Sequence, residues 1–139
     1  MKKIVVSGLV AGVADLIIGT LLLSKIFEII FPGLSAEYET SGLFRPWSDP
    51  LMSLVFIYPF VLGLIIAFVW DKTKKLVSGK DYIEKGLRFG CIYWLITGIP
   101  GMLMSYSSFP VSFTMILSWS LTGLVDAVLA GVISAKLNA

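Results

Sequence analysis

Histidine is absent from the sequence and cysteine occurs once, at Cys91. The usual ligands for zinc, haem and iron–sulfur clusters are therefore missing, and no intrachain disulfide is possible. Charge is scarce as well: Asp, Glu, Lys and Arg make up 14% of the chain, against roughly 25% in soluble domains. No phosphate-cradling glycine loop, Ser/His/Asp set or zinc spacing occurs. These absences argue against an enzyme and against any cofactor or resident metal. What the sequence has in abundance is apolar surface, 57% hydrophobic residues with a mean hydropathy of +0.91 over 139 residues. Such a composition predicts one integral membrane domain, 1–139, in a lipid bilayer.

Apolar runs divide the chain. Residues 4–23 carry one charge and residues 51–70 none, each close to the roughly 20 residues that cross a 30 Å hydrocarbon core. Residues 89–125 are also uncharged, but as one helix they would reach about 55 Å, too long for a tilted span. The serines and Pro110 of "SYSSFP", residues 105–110, supply the break, with Pro110 in the first turn of the next helix. Asp81 with Glu84 and Asp49 with Pro50 mark helix starts, and Pro59 and Pro100 predict kinks. The expected fold is an all-α, polytopic, four-transmembrane-helix bundle with spans at about 4–30, 50–70, 82–104 and 111–135. The opening "MKKIVVSGLVAGVA" has the layout of a secretory signal with a conceivable cleavage after Ala14. Its apolar pattern continues through Leu23, so an uncleaved first span is expected.

Orientation follows from the basic residues. Nine of eleven, Lys2, Lys3, Lys72, Lys74, Lys75, Lys80, Lys85, Arg88 and Lys136, fall on one side, with Lys25 and Arg45 on the other. Both termini are thus expected to be cytoplasmic. The inner loop "DKTKKLVSGKDYIEKGLR" carries six positive and three negative side chains and is expected to touch anionic headgroups. Having one tyrosine, Tyr82, it lacks the aromatic platform of a nucleic-acid surface, so no nucleic-acid partner is expected. The outer segment "PGLSAEYETSGLFRPWSDP" mixes aromatic and charged residues and reads as an interfacial flap, with a lid or a docking surface as alternatives. Arg45 and Trp47 are its candidate functional residues. Lys25 and Glu28 read as a solvated helix pair.

Two acids lie inside the apolar runs. Asp15 is twelve residues beyond Lys3, about 18 Å of helix, and Asp126 ten before Lys136, about 15 Å. The first and fourth spans run in opposite directions, so both acids reach a similar depth near the midplane. Gly8, Gly12, Asp15 and Gly19 share one helical face; Gly123, Asp126, Ala130 and Ser134 share another, flanked by Ala127 and Gly131. Small-residue stripes permit close helix approach in lipid, and these two are expected to face each other or a second copy, favouring homo- or hetero-oligomers. If the acids meet, both cannot comfortably be ionised, and one shared proton or captured cation resolves the conflict. Arg88 and Lys136 are the nearest cations, at the membrane edge, while Tyr58, Tyr93, Thr97 and Thr122 offer hydroxyls. A ligand pocket beside the acids would draw on Tyr93, Trp94 and Thr97.

Residues 14–25, "ADLIIGTLLLSK", locally resemble the first span of small multidrug-resistance transporters, four-span proteins whose glutamate in that helix would map onto Asp15. The likeness covers about a dozen residues of low complexity. The long outer segment, the charged inner loop, the second acid at Asp126 and aspartate in place of glutamate depart from that family's pattern, so the likeness is read as convergence. The expected function is an assembly or accessory membrane component whose acid pair supports packing or oligomerisation. The alternative is a proton- or cation-coupled transporter of small solutes using Asp15 and Asp126.

Overall fold

The computed structural model describes all 139 residues as an all-helical chain. Four helices are long and apolar enough to cross a membrane: Lys2–Ile30, Pro50–Thr73, Tyr82–Ser108 and Phe113–Leu137, here spans one to four. Span one comprises α1 (Lys2–Asp15), a π-helical stretch (Leu16–Leu23) and α2 (Ser24–Ile30). The short α3 (Leu34–Thr40) follows, after a turn in which Gly33 adopts a left-handed φ of 104°. Span two opens with a 3₁₀ turn (Pro50–Ser53) and continues as α4 (Leu54–Thr73); spans three and four are α5 (Tyr82–Ser108) and α6 (Phe113–Leu137). Only 26 of the residues are buried, and large side chains such as Ile17, Leu22, Phe56 and Leu103 stand exposed around the helices. An apolar exterior of this kind is compatible with an integral membrane protein.

Local chemistry sets the boundaries. Asp49 accepts from the Leu51 N–H at 2.9 Å with Pro50 at the first position of the turn, and Asp81 accepts from the Glu84 N–H at 2.8 Å. Glu84 does not return a capping-box bond to Asp81; it takes the Lys80 N–H at 2.8 Å and the Arg88 guanidinium at 2.6 Å. The reversal between spans three and four comes later than the serine–proline stretch suggests. Ser105 and Ser107 donate to the carbonyls of Gly101 and Met104, both at 2.9 Å, and so stay within α5. The helix stops at the extended Phe109, ahead of Pro110. Ser112 then caps α6 by accepting from the Met115 N–H at 3.1 Å, which leaves Pro110 outside the helix rather than in its first turn. Pro59 and Pro100 both lie inside helices that continue past them.

The α1 helix packs antiparallel to α4, α5 packs along α6, and α6 contacts both α1 and α4. One end of the assembly, called the basic end below, brings together the 74–81 loop and the C-terminal residues. There Trp70 donates to the Asn138 carbonyl at 3.0 Å, Asn138 donates to Asp71 at 3.1 Å, and Trp70 meets Phe89 edge-on at 5.3 Å. The core on this side is Ala11, Ile66, Trp70, Phe89, Ala130 and Ala135. A second cluster at the opposite end packs Leu34 with Val111, Met115 and Ile116.

Candidate functional site

Asp15 closes α1 and Asp126 lies in the middle of α6; they are 1% and 7% exposed. Neither points into the apolar exterior. Beyond Asp15 the helix widens into the π-helical stretch, a form that concentrates at functional sites, and Gly19 sits within it one turn on from Asp15. The carboxyl of Asp126 fills the space that a Cβ at Gly19 would need. The two acids therefore converge where α6 crosses span one. Both oxygens of Asp15 and Oδ1 of Asp126 are buried without a hydrogen-bond partner, an arrangement that costs free energy unless a proton or cation is shared between them.

Two of the four hydroxyls expected to serve the acids, those of Thr97 and Thr122, are committed elsewhere. Thr97 donates to the Tyr93 carbonyl and Thr122 to the Ser118 carbonyl, each at 2.9 Å, so both bond within their own helices. Thr97 is exposed, Tyr58 is largely exposed and Tyr93 is half-buried. Trp94 donates to the Ser120 carbonyl at 2.9 Å, pinning α5 to α6. Of Tyr93, Trp94 and Thr97, Tyr93 alone lines the large groove at the basic end. Ser134, fully buried on the face of Asp126, also has an unpartnered hydroxyl. No cluster of three metal-ligating side chains forms.

The small-residue stripes divide their contacts among several helices. A Cβ at Gly8 or Gly12 would stand 2.7 Å from the Cα of Leu64 or Phe60, so both glycines seat α1 against α4, opposite Gly63. On α6, Gly131 packs 2.5 Å from the Gly86 carbonyl by the same measure, and the Ala127 carbonyl lies 2.6 Å from a Cβ at Gly90, so this stripe seats α6 against α5. Gly123 has only ordinary contact, 3.8 Å, with Trp94. Of the six glycine and alanine positions expected to pack helices, Gly19 alone meets an acid. Gly63, Gly86 and Gly90 were missed, although Gly86 and Gly90 carry the four-residue small spacing that signals such contact.

The outer segment docks through residues other than Arg45 and Trp47. Arg45 forms an exposed ion pair with Asp49 at 2.7 Å, and Trp47 is 70% exposed. Glu37 instead accepts from the Ser112 N–H at 2.7 Å and the Ser112 hydroxyl at 2.6 Å, clamping α3 to the start of α6. Trp119 donates to the Tyr38 hydroxyl, and Phe44 meets the Trp119 ring edge-on at 6.1 Å. A cavity of about 170 Å³ lies beneath Leu43 and Phe44. Glu28 does not pair with Lys25; it takes the Ser35 N–H and hydroxyl, each at 2.8 Å, and so folds the segment back.

The groove lies at the basic end, between α4 and α5. It measures about 710 Å³ and runs from Ser78 and Arg88 to Tyr93 and Ile96, with Cys91 exposed in its wall. No protein-family model matches this chain, and neither a curated protein nor a solved structure matches it either.

Proposed function

We propose that this chain is a four-span integral membrane protein with its basic end in the cytoplasm, and that Asp15 and Asp126 form a proton-sharing junction locking span one to span four. The observation that carries this reading is the Asp126 carboxyl set against Gly19, one turn from Asp15, with no donor for either acid. A shared proton turns like-charge repulsion into an interhelical hydrogen bond, a contact contributing about 0.6–2 kcal/mol in membranes. The work of the protein is that of an assembly or accessory component, associating with further copies or with another membrane protein through its exposed helix faces.

A second reading is a proton- or cation-coupled transporter of small solutes. The burial of two unpartnered carboxyls within apolar spans favours it. Reconstitution separates the two. Asp15→Asn and Asp126→Asn retain a hydrogen-bonding side chain, so the junction reading expects both variants to fold, keep the native oligomeric state, and match wild type in pH-gradient dissipation by proteoliposomes. Wild-type flux that either variant abolishes while remaining folded would establish the relay and remove the accessory role.

A further inference from the structure

The groove between α4 and α5 changes chemistry along its length. Toward the middle of the helices its walls are Val69, Phe89, Ile92, Tyr93 and Ile96; at the basic end the polar side chains of Thr73, Ser78 and Arg88 join Leu76 and Val77. Phe89 to Ile96 spans about 10 Å of helix rise, comparable with the 15 Å or so of one leaflet's hydrocarbon. Its volume of about 710 Å³ lies within the roughly 300–1,000 Å³ of small-molecule sites. The gradient matches an amphiphile lying with its head at the basic end and its tail along α5.

Charge at the mouth selects the head. Arg88 donates one N–H to Ser78 at 2.9 Å and another to Glu84 at 2.6 Å, and a guanidinium has five such donors in a planar fork suited to phosphate. The acids nearby are occupied: Glu84 by Arg88 and the Lys80 N–H, Asp71 by Asn138 and Lys74, and Asp81 by the Glu84 N–H. Lys72, Lys75, Lys80 and Lys85 have no ion-pair partner. The 71–88 segment at this end thus carries three more positive than negative side chains.

We infer that this groove is a binding site for one anionic phospholipid, an acyl chain lying along Phe89–Ile96 and the phosphate engaged by the Arg88 guanidinium. The inference rests on the membrane-spanning reading and is independent of the acid pair. It commits to a lipid because the apolar wall and the basic mouth are continuous in one groove.

The test uses the full-length protein purified in detergent, titrated with phosphatidylglycerol or phosphatidylcholine of the same acyl chains, with bound lipid counted by native mass spectrometry. One phosphatidylglycerol per chain is expected, held about tenfold more tightly than phosphatidylcholine. Arg88→Gln should erase that preference, and Ile92→Trp, a substitution at an exposed groove position, should lower retention of both lipids. Lys25→Gln, at the opposite end, should change neither. Equal retention of the two lipids by wild type, or an undiminished preference in folded Arg88→Gln, overturns the inference. A dimer that Ile92→Trp dissociates would also overturn it, assigning the groove to a second copy. A chain that stays monodisperse in water without detergent removes the membrane reading and the lipid site together, whereas failure of lipid selectivity in micelles removes the site alone.

Discussion

The carboxyl group of Asp126 stands where a side chain at Gly19 would have to go, so the seat of that carboxyl depends on a hydrogen atom at position 19. Gly19→Ala forces the carboxyl or the helix to move. We expect a loss of about 1–3 kcal/mol in unfolding free energy, the usual cost of overpacking. Gly101→Ala is the matched control: nothing lies within 4 Å of its Cβ, and alanine in a helix interior should stabilise by up to about 1 kcal/mol. Unfolding titrations in mixed micelles report both, and equal behaviour of the two variants would contradict the packing described.

The two helix pairs are held by different glycines. Gly63→Leu should separate α4 from α1, because its side chain would run into the backbone of Gly8 and Gly12. Gly86→Leu should separate α5 from α6 at Val132. Cysteine crosslinking between α1 and α4 should fall in the first variant and survive in the second, with the converse for α5 and α6.

One carboxylate, that of Glu37, ties the outer segment to the start of α6. Removing it in Glu37→Ala leaves the Ser112 N–H and hydroxyl without their acceptor, a cost of about 1–3 kcal/mol. We expect faster proteolysis within residues 32–49 and a red shift of tryptophan fluorescence as Trp119 loses Tyr38 and Phe44. Arg45→Ala, which removes only an exposed pair with Asp49, should leave both signals unchanged.

Acid should loosen the entrance to span two. The Leu51 N–H, and secondarily Arg45, hold the Asp49 carboxyl below the usual carboxylate range. A folded-state value below the unfolded one means that the contribution is fully present above the ordinary range and is lost as pH falls through the lowered value. Amide exchange at Leu51, corrected for intrinsic rate, should therefore rise on acidification, and Asp49→Asn should remove that pH dependence.

The parts of this protein that depend on one residue's neighbours in sequence were legible without coordinates. Hydropathy located four long apolar helices, and Asp49 and Asp81 marked two of their starts, because span length and N-caps are local physics. Serines misled at 105–108: in an apolar helix their hydroxyls bond back to the preceding turn, so they extend the helix instead of ending it. The π-helical widening after Asp15 left no sequence mark, and neither did the clamp from Glu37 to Ser112, 75 residues apart.

Sequence alone determined that Asp15 and Asp126 lie far from either end of their long apolar segments, since depth follows from rise per residue. Only tertiary structure decided which face of each helix meets which neighbour. A glycine stripe permits close approach but does not name its partner, and here Gly8 and Gly12 took α4, Gly131 took α5, and Gly19 alone was left for Asp126. That allocation is settled by how four helices share limited small-residue surface, a property of the whole assembly that no one helix carries.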